Sequence, residues 1–411
     1  MWELIRVNKR NSILLLTAMA CCLIVLGLII GMAWAGPDGG KFGILIALGI
    51  WLILTLISFS AGDSILLLAS NAVPVTHEVN PRLFNVVEEM SIAAGVPVPK
   101  VYIINDPSPN AFATGRNPKT ASIAVTAGLL GKLNRDELQG VVAHEMSHIL
   151  HRDILFVTLA GILLGAVALL SQVFLRSLYY GRMGSRRRYS SGGKGAGGAM
   201  VVMMLIAIII AILAPIMTQL LYFALSRRRE YLADAGAVRL TRYPEGLASA
   251  LEKIAADKAP QLATANKVTA PMFIVNPLKK AGQWALSDLT STHPPISERI
   301  RILRNMSQGA SFKDYSEAFE GVTKKKSIVP ASALTKEDIA LRQASAEAKS
   351  ERTGNQMREV GDIMRKVNGF IFLPCACGVT LKIPPNYKED LVKCPRCQRT
   401  LKINASSTVN T

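Results

Sequence analysis

Long apolar blocks divide this chain into membrane-embedded and water-exposed parts. Four blocks, each of 18 or more residues without a charged side chain, lie at 13–34, 43–60, 154–175 and 199–225. About 20 apolar helical residues cross the hydrocarbon core of a bilayer, whereas a buried helix of a soluble protein rarely stays apolar on every face for that length. The pattern therefore predicts a mainly α membrane protein with four transmembrane or membrane-embedded helices.

The first block also has features of a signal sequence, because Ala33-Trp34-Ala35 provides the small residues of a cleavage site. Its apolar core is longer than that of a cleaved signal, and a second apolar block follows after a short loop. We therefore predict an uncleaved anchor, which forms an N-terminal transmembrane hairpin over residues 1–70.

The hydrophobic pattern between the second and third blocks is that of a folded, water-exposed segment. Residues 81–95 have helical spacing, and residues 100–106 and 120–126 are predicted strands. Asn134 with Glu137 three positions later predicts a capped helix that starts near residue 135. This helix runs almost directly into the third apolar block.

The capped helix carries an H-E-x-x-H motif made by His144, Glu145 and His148. Two histidines four residues apart lie on one helix face about one turn apart, so both can reach one metal ion. Glu145 lies about 100° round the helix, where it can act on a metal-bound water. An amphipathic helix with an apolar stripe is the other explanation of this stretch, and both can be true. His151 is offset from the pair, and we expect it to be solvated beside Arg152.

A tetrahedral zinc ion with a bound water needs a third protein ligand. Glu230 and Asp234 follow the fourth apolar block and lie four apart on one helix face. Glu230 could bind the metal, and Asp234 could fix the tautomer of a ligand histidine through a hydrogen bond. On the residues alone, a charged helix end in which Glu230 pairs with nearby arginines is the simpler explanation.

Five ordered motifs resemble the HtpX family of membrane zinc metalloproteases, relatives of the CAAX prenyl endopeptidases. The resemblance covers roughly residues 1–305. The motifs are NAFATG (110–115), TAGLL (126–130), ELQGVVAHEMSHILHRD (137–153), SRRREYLADAGAV (226–238) and THPPISERI (292–300). The resemblance implies a zincin-like α+β metallopeptidase domain, with zinc on His144, His148 and Glu230 and with Glu145 as general base.

The resemblance also implies roles toward the substrate. It suggests that His293 stabilises the oxyanion and that the strand near Asn110 aligns the substrate backbone. From the residues, an extended peptide could add to the 120–126 strand as a further edge strand.

Four of the six cysteines form a C-terminal cluster, whereas Cys21 and Cys22 lie within the first apolar block as small apolar filler. Two close pairs beside short strand-like stretches are typical of a zinc ribbon with four thiolate ligands. Two disulfides are the alternative, but a cytosolic tail is kept reduced. We therefore predict a small β zinc ribbon that holds structural zinc and recruits a partner or substrate. Its ligands are Cys375, Cys377, Cys394 and Cys397.

Charge suggests an orientation in the membrane. The net charge is +18, and residues 176–194 hold six cations and no acid, for which anionic lipid rather than nucleic acid is the expected partner. Cations near the N-terminus and a nearly neutral 36–42 loop place the N-terminus and the active site in the cytosol. If the third and fourth blocks cross, the 176–194 loop lies outside; if they form a re-entrant hairpin, it stays inside. Their length favours crossing.

Together with the family resemblance, these patterns predict a multi-pass protein of the cell membrane that acts as a zinc-dependent endopeptidase on misfolded or membrane proteins, in protein quality control. The substrate class follows from the ligands, which lie within roughly 10 Å of the membrane by helical rise. A catalytically inactive scaffold and a zinc-ribbon adaptor are the alternatives. The predicted segments are the hairpin at 1–70, peptidase parts at 71–153 and 226–325, a second membrane hairpin at 154–225, a polar linker at 326–369 and the ribbon at 370–406.

Overall fold

The computed structural model describes residues 2–156, 227–257, 293–326, 339–346, 356–387 and 389–403, with a few single positions and pairs between these ranges. The third and fourth apolar blocks and the cationic 176–194 loop lie almost wholly outside the described residues. Whether those two blocks cross the membrane therefore stays a prediction.

Helix α1 (Trp2–Ala69) folds back on itself as two arms, Ile5–Met32 and Asp38–Ala69, each long and apolar enough to cross a membrane. The arms touch backbone to backbone. A Cβ atom on Gly27 would lie 2.4 Å from the carbonyl oxygen of Gly43. Small residues four apart allow this approach in membrane helices, where close packing and not the hydrophobic effect drives association.

A four-stranded sheet follows in the order β1-β2-β4-β3. Strands β2 and β4 run parallel, while β1 and β3 pair antiparallel with their neighbours. The strands are β1 (Ala72–Pro74), β2 (Lys100–Ile104), β3 (Ala111–Thr114) and β4 (Ser122–Thr126). Because β4 has partners on both sides, the prediction that a peptide adds to the 120–126 strand is wrong. The edge strand on that side of the sheet is β3.

A 3-10 helix (Pro118–Thr120) lies between β3 and β4, and eight further α-helices have described bounds. They are α2 (Pro81–Ala94), α3 (Ala127–Lys132), α4 (Arg135–Leu150), α5 (227–241), α6 (Pro244–Ala255), α7 (Ile296–Arg304), α8 (Phe312–Thr323) and α9 (Gln356–Val367). Helix α4 lies at the centre and packs against α2, α6 and strand β3. Its apolar stripe is fully buried in the main core, which includes Val141, Val142, Met146 and Ile149.

Helix α4 begins with the predicted capping box. The Asn134 side chain accepts from the backbone N–H of Glu137, and the Glu137 carboxylate accepts from that of Asn134, both at 2.9 Å. Glu137 also accepts from Ser249 at 2.6 Å and from Lys253 at 2.7 Å, both on α6. The start of the metal-motif helix is therefore anchored by its own cap and by a neighbouring helix.

The described parts of the predicted 326–369 linker pack on the main core. Val360 of α9 is buried in that core, and Ile363, Met364 and Val367 pack against it. Helix α9 contacts α3, which directly follows strand β4. This segment is polar in composition, but a few of its apolar residues contact the core.

The C-terminal module consists of two antiparallel hairpins, as the cysteine pattern predicts. Their strands are β5 (Ile371–Pro374), β6 (Thr380–Ile383), β7 (Leu391–Lys393) and β8 (Thr400–Lys402). Lys382 on β6 pairs with Asp362 on α9, which connects the module to the helix before it.

The expectation that His151 is solvated is wrong, because its residue is only 2% exposed. The imidazole Nδ1 lies 3.2 Å from the Ser147 hydroxyl, and the Asn8 side chain donates to the His151 carbonyl at 3.1 Å. The ring also faces Phe312 of α8, with 6.3 Å between ring centroids. The first arm of α1 and helix α8 thus cover the end of α4.

This burial predicts a pH dependence of stability. Burial lowers the pKa of His151 from 6.5 to about 4, so between these values the unfolded chain binds a proton that the folded chain does not. The contribution of His151 to stability is therefore complete above pH 6.5 and decreases as the pH falls toward 4. We expect His151→Gln to remove up to about 3 kcal/mol of that decrease, as measured by unfolding in detergent across this range. An unchanged slope in His151→Gln would assign the dependence to other groups.

Candidate metal centre

Three side chains converge at one point between helices α4 and α5. The Nε2 atoms of His144 and His148 are 3.3 Å apart, and each lies 3.6 Å from an oxygen of Glu230. A tetrahedral zinc ion with bonds of about 2.0–2.2 Å holds its ligands about 3.3–3.6 Å apart. The donor types and spacing therefore fit zinc.

The state of Glu230 supports this fit. Its residue is 7% exposed, and its Oε2 atom makes no hydrogen bond among the described residues, although Arg299 Nη1 lies 3.5 Å and His144 Nε2 3.6 Å away. An unsatisfied buried carboxylate oxygen is rare and calls for an explanation such as an ion. A metal ligand role for Glu230 provides that explanation.

The close approach of α5 to α4 brings Glu230 to the histidines. A Cβ atom on Gly236 of α5 would lie 2.0 Å from the Ser147 hydroxyl of α4. A side chain at this position would push the two helices apart. The glycine therefore sets the helix spacing on which the ligand distances depend.

Asp234 lies behind His144, at the position that its predicted role requires. Its Oδ1 atom is 3.0 Å from His144 Nδ1, so the other ring nitrogen faces the metal position. Burial opposes protonation of His144, but the hydrogen bond to Asp234 and the Glu230 carboxylate 3.6 Å away raise its pKa above the usual value. Carboxylate support of this kind orients a ligand imidazole and increases its basicity.

Asp153 plays the same part for His148 and was missed by the sequence analysis. Its Oδ2 atom lies 2.9 Å from His148 Nδ1. Burial opposes protonation of His148, yet the charge and hydrogen bond of Asp153 raise its pKa to about 9. The chain reaches this position because Arg152 adopts a left-handed conformation, with φ of 55°. The available signal was the aspartate that closes the HRD triplet after the motif.

Arg299 is a second contributor that the sequence analysis missed. It is fully buried on α7 and donates to both oxygens of Asp234, at 2.6 and 2.8 Å. A buried guanidinium is tolerated only when carboxylates compensate its charge. The THPPISERI motif contains this residue. Asp234 lies 65 positions earlier in the chain, however, so sequence spacing alone does not identify the two residues as partners.

Glu145 and His293 complete the centre. Burial raises the pKa of Glu145, although a backbone hydrogen bond from Ala113 acts in the opposite direction. His293 Nε2 lies 3.9 Å from Glu230 Oε2, and burial lowers the pKa of its imidazole to about 4. His293 is therefore neutral near pH 7 and keeps one N–H to donate beside the metal position.

The outer side of edge strand β3 faces the same centre. Ala113 contributes its backbone to Glu145, and the Ala111 carbonyl accepts from the N–H of Ile274 at 2.9 Å. Asn110 is buried where β3 begins, and its backbone N–H donates to the Thr126 hydroxyl at 2.8 Å. The structure thus places Asn110 at the junction of β3 and β4, and its role toward a substrate stays a prediction.

Comparison with known proteins identifies the family. The sequence profile of "Peptidase family M48" matches residues 77–307, more than half of the chain. The chain belongs to peptidase family M48. The resemblance to HtpX that the five motifs indicate is confirmed by curated relatives.

Three relatives each carry the name "Protease HtpX homolog". The protein of Dictyoglomus thermophilum is 45% identical over 307 residues, covering 75% of this chain and 95% of the relative. That of Caldanaerobacter subterraneus is 45% identical over 307 residues, covering 74% and 98%, and that of Listeria innocua is 43% identical over 310 residues, covering 74% and 100%. The crystal structure of Ste24p from S. mikatae matches with a TM-score of 0.39 at 22% identity, covering 74% of this chain and 67% of that one.

The aspartates behind the histidines lead to a prediction about metal affinity. We expect Asp153→Asn and Asp234→Asn each to lower zinc affinity about 10–100-fold, because each removes the charge that orients a ligand imidazole. Competition with a chelator measures the affinity. Asp38→Asn, which breaks an exposed pair with Lys41 at the start of the second arm of α1, is the control and should bind zinc as wild type does. Unchanged affinity in Asp153→Asn would mean that its contact to His148 does not support the metal.

Proposed function

We propose that this family M48 protein is a membrane-integrated, zinc-dependent endopeptidase that cleaves misfolded or membrane proteins in protein quality control. The observation that carries the proposal is the convergence of His144, His148 and Glu230, with Glu145 beside them. When bound, zinc would polarise the scissile carbonyl and lower the pKa of an attached water.

The residues of this chain supply the proton transfers. Glu145 is buried beside the ligand histidines, where a carboxylate with a raised pKa is suited to take a proton from water and pass it to the leaving amine. His293 has a neutral imidazole that can donate to a developing oxyanion, an interaction that strengthens as negative charge builds on the substrate.

The edge strand supports an extended binding mode for the substrate. An unfolded peptide could pair with the outer side of β3 through main-chain hydrogen bonds, which are largely independent of sequence, if it replaced the bond from Ile274 to the Ala111 carbonyl. This mode suits misfolded proteins, since extended segments are available only where the native fold is lost.

Contacts between the hairpin and the sheet support substrates at the membrane. Leu66 and Leu67, at the end of the second arm of α1, are buried against Ile104, Phe112 and Ala124 of the sheet. The same sheet carries the edge strand beside the metal centre. Because the hairpin packs on the sheet that borders the site, we expect the site to act on exposed loops and ends of membrane proteins more than on freely diffusing substrates. Cytosolic orientation and contact with anionic lipids belong to this proposal and rest on the charge distribution.

A catalytically inactive scaffold is the less favoured alternative. It would require no general base and no carboxylate support behind each ligand histidine. The presence of Glu145, Asp153 and Asp234 around a three-ligand site argues for retained chemistry.

The ribbon completes the proposal as a structural zinc module. Cys375 and Cys397 have their sulfurs 3.5 Å apart, as do Cys377 and Cys394. Hydrogen bonds from the backbone of Cys397 and Arg396 lower the pKa of Cys394 to about 6, which favours the thiolate that zinc binds. Four sulfur ligands leave no open position for catalysis, so we assign this module to recruitment of a partner or substrate.

The general-base role is tested by Glu145→Gln. This change removes the base and keeps the three ligands, so we expect zinc content and fold to be retained while cleavage of casein falls by about 10²–10⁴-fold. Glu88→Gln, on the exposed face of α2, should cleave at the wild-type rate. Near wild-type turnover by pure Glu145→Gln would contradict the mechanism.

The ribbon is tested by metal counting. We expect the purified chain to hold two zinc ions and the double variant Cys375→Ser/Cys394→Ser to hold one, because two lost thiolates abolish a four-sulfur site. Casein cleavage should persist in this variant, since the ribbon has no catalytic position. Cys22→Ser is the matched control and should keep both ions. A double variant that retains two ions would show that the cysteines do not bind zinc.

A further inference from the structure

Residues 339–346, here named the clamp, lie across the far ends of the two helices that carry the metal ligands. The Arg342 guanidinium donates to the Thr241 carbonyl at the end of α5, at 2.8 Å. It also donates to Asp136 at 3.0 Å and to Gln139 at 2.5 Å, both near the start of α4. One side chain therefore connects α4 to α5.

Backbone groups of the clamp reinforce this connection. The Arg342 N–H donates to the Arg242 carbonyl at 2.9 Å, directly after α5. The Ser345 N–H donates to the second carboxylate oxygen of Asp136 at 2.7 Å. The clamp thus binds both oxygens of Asp136, and its residues are fixed on both helices.

Burial makes these contacts energetically significant. Asp136 is 3% exposed, so its carboxylate has little access to water. An exposed ion pair contributes little to stability, but removal of one partner from a buried pair leaves an uncompensated charge at high cost. Without the clamp, we expect the start of α4 to shift toward solvent.

Such a shift would reach the metal ligands because both helices are rigid. Asp136 precedes His144 by about 12 Å along α4, and Thr241 follows Glu230 by about 16 Å along α5, from the rise per residue. The 3.6 Å distances between ligand atoms on the two helices therefore depend on helix spacing at both ends. Gly236 fixes the spacing nearer the metal, and the clamp fixes it at the other end.

The clamp lies beyond the part of the chain that matches the family, which ends at residue 307. We propose that the clamp positions α4 and α5 for metal binding, with Arg342 as a positioning residue acting through Asp136. The C-terminal extension is then part of the peptidase unit and not only a carrier of the ribbon. This inference rests on the proposed function, because it concerns the affinity of the same metal centre.

The test is cobalt(II) uptake by the full-length protein in competition with a chelator. Cobalt absorbs differently on four thiolates and on nitrogen and oxygen donors, so both centres are followed in one sample. We expect Arg342→Ala to weaken the histidine-glutamate centre about tenfold, the lower end of the effect of losing an outer support, and to leave the cysteine centre unchanged. Arg342→Lys keeps the charge but loses the forked geometry, and we expect an intermediate loss.

A double-mutant cycle separates positioning from general destabilisation. Asp136→Asn should itself weaken cobalt binding, and adding Arg342→Ala should cause little further loss, because contacting residues are not additive. Arg304→Ala, which breaks exposed pairs with Glu245 and Glu252, is the matched arginine control and should bind as wild type does.

Two results would overturn the inference while the proposed function stands. One is wild-type cobalt affinity in Arg342→Ala. This result would count against the inference even if the variant unfolded more readily than wild type. The other is a full additive loss in the double variant. A wild-type protein that takes up no cobalt on nitrogen and oxygen donors would overturn the proposed function and this inference together.

Discussion

Compensation of buried charge is the constraint on which the site depends. Asp153, Glu230 and Asp234 are all nearly inaccessible to solvent, and removing a carboxylate from water costs several kcal/mol unless an opposite charge is close. Arg299 neutralises part of this charge through Asp234 and lies 3.5 Å from Glu230, while the charges of Arg229 and the histidines also act on these carboxylates. Zinc binds neutral imidazoles, so a divalent ion between His144, His148 and Glu230 would take over the positive charge that protonated histidines otherwise place beside these carboxylates.

This constraint explains why the metal-motif helix occupies the centre of the fold. Helix α4 must be buried to keep bulk water from the ligands, and its ends must then be satisfied by the protein itself. The Asn134–Glu137 cap does this at the start, while Asn8 and Ser147 contact His151 at the end. The N-terminal hairpin therefore covers the end of the metal-motif helix, beyond any role as a membrane anchor.

The sequence predicted what depends on local spacing and failed where distant segments meet. The H-E-x-x-H pair and the capping box are set within one helix, so their geometry follows from 3.6 residues per turn. Arg299 and Asp234 are 65 positions apart, and the order β2-β4-β3 depends on which strands pair. His151 was misassigned because its cover comes from Asn8, 143 positions away. Asp153 was missed because Arg152 adopts a left-handed conformation and turns the chain back. If the helix is extended through residue 153, the Asp153 side chain does not lie beside His148.

The C-terminal extension shows the same limit in another form. Its composition is polar enough to predict a linker, since few apolar residues usually mean too little buried surface to offset the entropy of ordering. A segment that docks on an existing core needs only a few contacts, however, because the partner surface is already ordered. Val360 and Arg342 provide such contacts, one apolar and one charged. Average polarity therefore predicts whether a segment can fold alone, and it does not predict whether a folded neighbour will order it.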